Sequence, residues 1–101
     1  MIDIKWIRKA VVDGNYFYSR HGDQERQNDN LRIAEVEEAL LNGRILEYYE
    51  NDVRGKSCLV VGFTGKGKPV HIVCGKAEDT MTIITVYIPT PPKFVNPYER
   101  G

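Results

Sequence analysis

The chain holds two histidines, His21 and His71, and each stands where an imidazole could do chemistry. His21 follows an aromatic run in Tyr16-Phe17-Tyr18-Ser19-Arg20-His21-Gly22, with Arg20, Arg26 and Arg32 close by in sequence. An imidazole among cations is what phosphodiester cleavage without a metal requires: a proton carrier near neutral pKa, and positive charge for the phosphorane as it forms. The same residues have a plainer use, with Ser19 and His21 capping a short helix and the arginines pairing with Asp23, Glu25 and Asp29. His71 sits in the apolar run Val70 to Cys74. If Lys66 and Gly67 form the centre of a hairpin turn, His71 lies opposite Gly62, on the sheet face away from the helices, and the glycine leaves a hollow above the backbone. A register slip of one residue would turn His71 into the core, so structural and functional roles are evenly matched for it.

Other chemistries are poorly served. Cys58 and Cys74 are too few for a disulfide scaffold and read as small buried hydrophobes, neither activated as a nucleophile. His71 and Cys74 fall on opposite faces of a strand, so no metal site is expected, and no cofactor is implied. The Gly65-Lys66-Gly67-Lys68 turn lacks the spacing and the following helix of a phosphate-binding loop. Glu37 and Glu38, adjacent on a helix, do not face each other. Net charge is formally zero, against a generic nucleic-acid binder, but six acids and one base lie between Glu35 and Asp52, and five bases and no acid between Arg54 and Lys76.

The elements that must position these residues follow from periodicity. Ile4, Ile7 and Val11 recur at helical spacing, with Gly14 as a stop; Tyr16 to Ser19 favours a strand. Arg20 to Asn30 is almost wholly polar, so a helix there has little apolar surface to hold it and is expected to be exposed. Ile33, Val36 and Leu40 line a helix ended by Gly43. Strands are expected over Ile45–Glu50, Cys58–Phe63, Val70–Cys74 and Met81–Ile88, with a polar turn over Asn51–Lys56. The fold class is therefore α+β, with helices on one face of a four- to five-stranded, mostly antiparallel twisted sheet.

At 101 residues the chain has room for one domain, 1–101, in which 88–101 reads as an extended Pro-rich tail. Its longest uncharged stretch, Thr80 to Pro92, is shorter than the roughly 18 residues of a membrane span and contains prolines. No membrane is expected as a partner, and the absence of an apolar leader points to the cytoplasm.

Several strings together carry a resemblance: Ser19-Arg20-His21 with Arg26 following, Glu35 through Tyr49, Ser57 through Gly62, Gly67-Lys68-Pro69-Val70-His71-Ile72-Val73, and Ile83-Ile84-Thr85-Val86-Tyr87-Ile88-Pro89. The chain resembles the small bacterial family catalogued as domain of unknown function 4258, over Tyr16 to Phe94. That family is associated with the RelE/ParE-like toxins. The resemblance implies a toxin-like fold with RNA received on the sheet face opposite the helices. Its shared polar positions fall on Ser19, His21, Arg26, His71, Thr85 and Tyr87. Two departures stand out: Arg26 lies one residue later after His21 than in the commoner spacing, and Phe94 replaces a frequent tryptophan.

Two functions are open at this point. One is a toxin component acting as a metal-independent endoribonuclease. In it His21 or His71 is the general base or acid, Arg26 and the lysines Lys66 and Lys68 stabilise the phosphorane, Tyr87 orients substrate, and Arg20, Arg32 and Thr85 help hold RNA. The other is a non-catalytic toxin-fold module that captures a protein partner through an edge strand and the tail. RNA, an antitoxin-like protein and a second copy of the chain are the candidate partners. The enzyme requires His21 or His71 to share a cleft with Arg26 or Tyr87, and a His71 that is buried and fully hydrogen-bonded favours the binding module. Cys58 and Cys74 are expected on opposite sheet faces without a bridge, and Trp6 and Val36 in one core.

Overall fold

Asp3 starts the first helix, α1 (Ile4–Asp13), by accepting the Trp6 amide at 2.9 Å, and Gly14 ends it in the left-handed conformation. The computed structural model describes residues 2–50, 55–91 and 94–101. After α1 come β1 (Tyr16–Tyr18), α2 (Arg20–Asn28), α3 (Ile33–Asn42), β2 (Arg44–Tyr49), β3 (Ser57–Phe63), β4 (Pro69–Ala77) and β5 (Thr80–Tyr87), then β6 (Phe94–Asn96) and β7 (Glu99–Arg100). Most of the turn expected over 51–56, with the charge of Arg54, lies outside the described residues.

The main sheet has the order β1-β5-β4-β3-β2; β1 runs parallel to β5 and the other neighbours are antiparallel, so the α+β fold carries a mixed five-stranded sheet. α1 and α3 cover one face. Ile7, Ala10 and Val11 from α1 and Val36, Ala39 and Leu40 from α3 pack against Cys58, Val60, Val70, Ile72, Cys74, Met81, Ile83 and Val86. Each large apolar side chain buried there contributes about 1.5–3 kcal/mol. Trp6 packs against the same core as Val36, as a two-layer fold requires.

The β3–β4 register differs from the expected one by a single residue. Thr64 accepts the Gly67 amide at 2.8 Å and donates its own amide to Lys68 at 2.9 Å, which leaves a three-residue loop, Gly65-Lys66-Gly67, with Gly67 at φ +82°. A left-handed residue in the third loop position makes a three-residue hairpin, where a two-residue turn had been expected. Val61 therefore faces His71 and Gly62 faces Val70. Three consequences follow. His71 does point away from the helices, but it shares its face with Leu59 and Val61. Gly62 points at α3, where a Cβ would overlap the Ala39 carbonyl and stand 2.8 Å from the Ala39 Cα, so there is no hollow over it. Cys58 and Cys74 are directly paired on the helix-covered face, both free thiols, which corrects their expected separation.

Polar α2 is held by hydrogen bonds to a sheet edge, which answers what an exposed polar segment could pack with. β1 covers only the first part of β5. Beyond it, Ser19 donates through its amide to Ile83 O at 2.9 Å and through Oγ to Ile84 O at 3.0 Å, while Glu25 and Asp29 accept the Val86 and Ile88 amides at 3.1 and 3.0 Å. Carboxylates thus satisfy backbone donors that would otherwise be an open edge. Gly22 lets the helix approach, since a Cβ there would come within 2.6 Å of Ile83 O.

The end of the chain does not trail away as an extended tail. β6 and β7 pair with each other as a separate hairpin and fold back over the sheet face opposite the helices.

Candidate functional site

On that second face Glu47, Tyr49 and Arg100 form one hydrogen-bonded group and His71 and Tyr87 another, with the Phe94 ring in contact with both. Glu47 and Tyr49 alternate on β2, so both side chains reach the same face. Arg100 forks onto Glu47, with Nε to Oε2 at 2.8 Å and Nη2 to Oε1 at 2.6 Å, and the Tyr49 hydroxyl donates to Oε1 at 2.6 Å. His71 Nε2 lies 2.6 Å from Pro97 O and Nδ1 3.2 Å from the Tyr87 hydroxyl. A carbonyl only accepts, so Nε2 carries a proton, and in the neutral ring Nδ1 is then the acceptor for the Tyr87 hydroxyl. The Phe94 ring meets the imidazole edge-on at 4.4 Å, and the Arg100 guanidinium lies 4.9 Å from the centre of that ring. Farther along, Arg44 stacks over Tyr98 at 4.6 Å. The Arg100–Glu47, His71–Pro97, His71–Phe94 and Arg44–Tyr98 contacts join the hairpin to the sheet.

Electrostatics fix the acid–base character of both groups. The Arg100 hydrogen bonds hold the Glu47 carboxyl down to about 2, whereas burial, then the Glu47 hydrogen bond, push Tyr49 up; burial also raises Tyr87. A general acid or base works best with its pKa near the working pH, and here the carboxylate and both phenols move away from neutrality. A forked but half-exposed ion pair is worth about 1 kcal/mol. Because the folded pKa of Glu47 lies below the roughly 4.3 of an unfolded glutamate, this stabilisation is present above that value and lost as pH falls towards about 2. Hydrogen exchange of the hairpin amides should accordingly show no loss of protection from pH 7 to about 5, and a loss between about 4 and 2.

The residues singled out from sequence do not meet in one place. His71 is fully buried with both ring nitrogens bonded within the protein, so in this conformation it has none to offer a substrate. Of its expected neighbours it meets Tyr87 and not Arg26. Arg26, 16% exposed, bonds Asp23 at 2.8 Å and Leu31 O at 2.8 Å and lies over Tyr18, closing the turn from α2 to α3. His21 is 67% exposed on α2, with Nε2 3.2 Å from Glu25. Arg20 is exposed at the start of α2; Thr85 lies half-buried opposite Val73. Lys66 and Lys68 occupy the hairpin tip, and Arg32 lies 3.4 Å from Glu35, whose pKa its backbone hydrogen bond lowers, with Arg32 and Lys68 charges adding to this. A cavity of about 140 Å³ lined by Ser19, Gly75, Lys76, Ala77, Thr82 and Ile84 is smaller than the roughly 300 Å³ of typical ligand pockets, and neither histidine borders it.

Sequence reasoning missed Glu47, Tyr49, Phe94 and Arg100. The period-two spacing of Glu47 and Tyr49 was a legible signal; their union with Arg100, 53 positions from Glu47, was not. Among the described residues no group of three or more His, Cys, Asp or Glu could hold a metal. Burial pushes the Cys58 thiol up to about 12 and raises Cys74 as well, so at pH 8 both thiols should resist a maleimide in the native chain and react after unfolding in urea.

No helix among the described residues is long and apolar enough to cross a membrane. No curated protein and no solved structure matches the chain. One family model does, over residues 18–88, a span running from the last residue of β1 through α2 and α3 to the end of the five-stranded sheet. On that match the chain belongs to the family described as domain of unknown function (DUF4258).

Proposed function

We propose that this chain is a toxin-like member of a bacterial toxin–antitoxin pair that works as a binding module, capturing an antitoxin-like protein by strand addition at β2. The observation that carries the reading is the state of that strand. β2 is the last strand of the sheet; it pairs with β3 on one side, and among the described residues no strand covers the other. An exposed edge offers a row of main-chain donors and acceptors to an extended segment. Tyr48, 44% exposed, stands ready to pack on an added strand, and the bulge between Ile45 and Glu47 discourages a regular, unselective pairing. The two-layer arrangement supports kinship with RelE/ParE-like toxins, and two buried, unbridged thiols agree with a reducing cytoplasm.

The binding reading is tested by co-expressing the chain with the product of a neighbouring gene and comparing hydrogen exchange of the free and bound forms. Slower exchange of the β2 amides in the complex is the expected result. Unchanged β2 exchange in a stable complex would rule the edge out.

A second reading, the metal-independent endoribonuclease, draws on one observation: an imidazole, two phenols, a carboxylate and a guanidinium gather on one sheet face. It ranks second because His71 is covered and the Glu47 carboxylate is held far from neutral pKa. Purified chain incubated with RNA in chelator is expected to leave it intact; cleavage abolished by Glu47→Gln would reverse the ranking.

A further inference from the structure

We propose that the sheet face beneath the C-terminal hairpin is a second docking groove, filled in the free protein by the chain's own end, whose partner is a hairpin-forming segment carrying an aromatic residue and, opposite it on the return strand six positions later, an arginine. It rests on the binding reading and adds to the β2 edge a separate surface with its own ligand chemistry. The hairpin now seated there supplies the template. Phe94, 1% exposed, sits edge-on to His71 and beside Tyr87; Arg100 forks onto a Glu47 already oriented by Tyr49; and His71 grips a main-chain carbonyl, that of Pro97. An aromatic socket, a carboxylate set for a guanidinium and a donor for peptide backbone are the parts of a peptide-binding groove. Charge complementarity selects arginine over lysine, because two parallel N–H donors match the carboxylate.

The occupant is exchangeable because of how it is attached. β6 and β7 pair only with each other among the described residues and add no strand to the five-stranded sheet. Two- and three-residue strands form no stable unit alone, so side-chain anchors hold the hairpin down. A tethered end competes at an effective concentration of about millimolar, so a segment in trans gains access chiefly when the hairpin is loosened.

The test uses the full chain and a synthetic peptide of residues 94–101, Phe-Val-Asn-Pro-Tyr-Glu-Arg-Gly, followed by NMR of the His71 and Tyr87 side chains. In Arg100→Glu the new carboxylate faces Glu47 and loosens the chain's own hairpin. This variant should bind the peptide at least tenfold more tightly than wild type, with shifts at His71 and Tyr87, and Glu47→Ala added to it, which removes the carboxylate without restoring an opposite-charge pair, should abolish binding. If the hairpin of Arg100→Glu stays protected from exchange, Phe94→Ala added to it removes the second anchor. Absence of peptide binding by that double variant, with β3 and β4 still protected, overturns the groove. Shifts confined to the β2 amides would also overturn it while leaving the edge-strand reading intact.

Discussion

Gly62→Ala is expected to cost more than about 3 kcal/mol, enough to bring a domain of this size close to unfolding in water. The added methyl would overlap the Ala39 carbonyl, with the Ala39 Cα at 2.8 Å, and what must yield is helix backbone in the middle of the core. Ala39, Leu40 and Val36 would be displaced together, since α3 moves as a unit against β3. Gly65→Ala is the control. Its methyl would come 2.7 Å from Glu38 Oε2, the far end of a flexible side chain that can swing away, so a change below about 1 kcal/mol is expected. Urea unfolding followed by circular dichroism measures both. Equal midpoints for the two variants would show that β3 does not approach α3 as described, and with it that the β3–β4 register is wrong.

His71→Ala should give the second-largest effect, about 3 kcal/mol, concentrated in the C-terminal hairpin. The substitution leaves the Pro97 carbonyl without its donor, a loss of about 1–3 kcal/mol where water does not replace it, breaks the contact of the imidazole with the Tyr87 hydroxyl, and opens a void beside Phe94. Faster exchange of the amides from Phe94 to Arg100, with β3 and β4 still protected, is the expected pattern. A ligand-facing histidine would behave differently, supporting few internal contacts and changing stability by no more than about 0.5 kcal/mol. A stability unchanged in His71→Ala would therefore revive the catalytic assignment.

Local elements were legible in the sequence because local physics sets them. Asp3 and Gly14 bracket α1, Val36 and Leu40 of the expected stripe are buried on α3 while Ile33 at its start stays exposed, and Tyr16–Tyr18 forms the short strand expected of aromatic residues. Trp6 and Val36 share a core because amphipathic helices over one sheet have only one place to bury their stripes. The polar run from Arg20 to Asn28 was harder, since its partners are the backbone groups of β5 some 60 positions away, and hydrogen bonds of that kind leave no period in the sequence.

Tertiary structure alone decided the site. The difference between a two- and a three-residue loop at Gly65–Gly67 moved every β3 side chain to the other face, which turned Gly62 from the floor of a hollow into the contact point for α3 and set the two cysteines side by side. What covers His71 is set by where the chain's end returns, through Phe94, Pro97 and Arg100. A strand imidazole was legible in the sequence and the family resemblance singled out Tyr87; only the closing of a long loop could bring the arginine that holds Glu47 ionised and the carbonyl that occupies the imidazole, because such contacts depend on chain path and not on residue type.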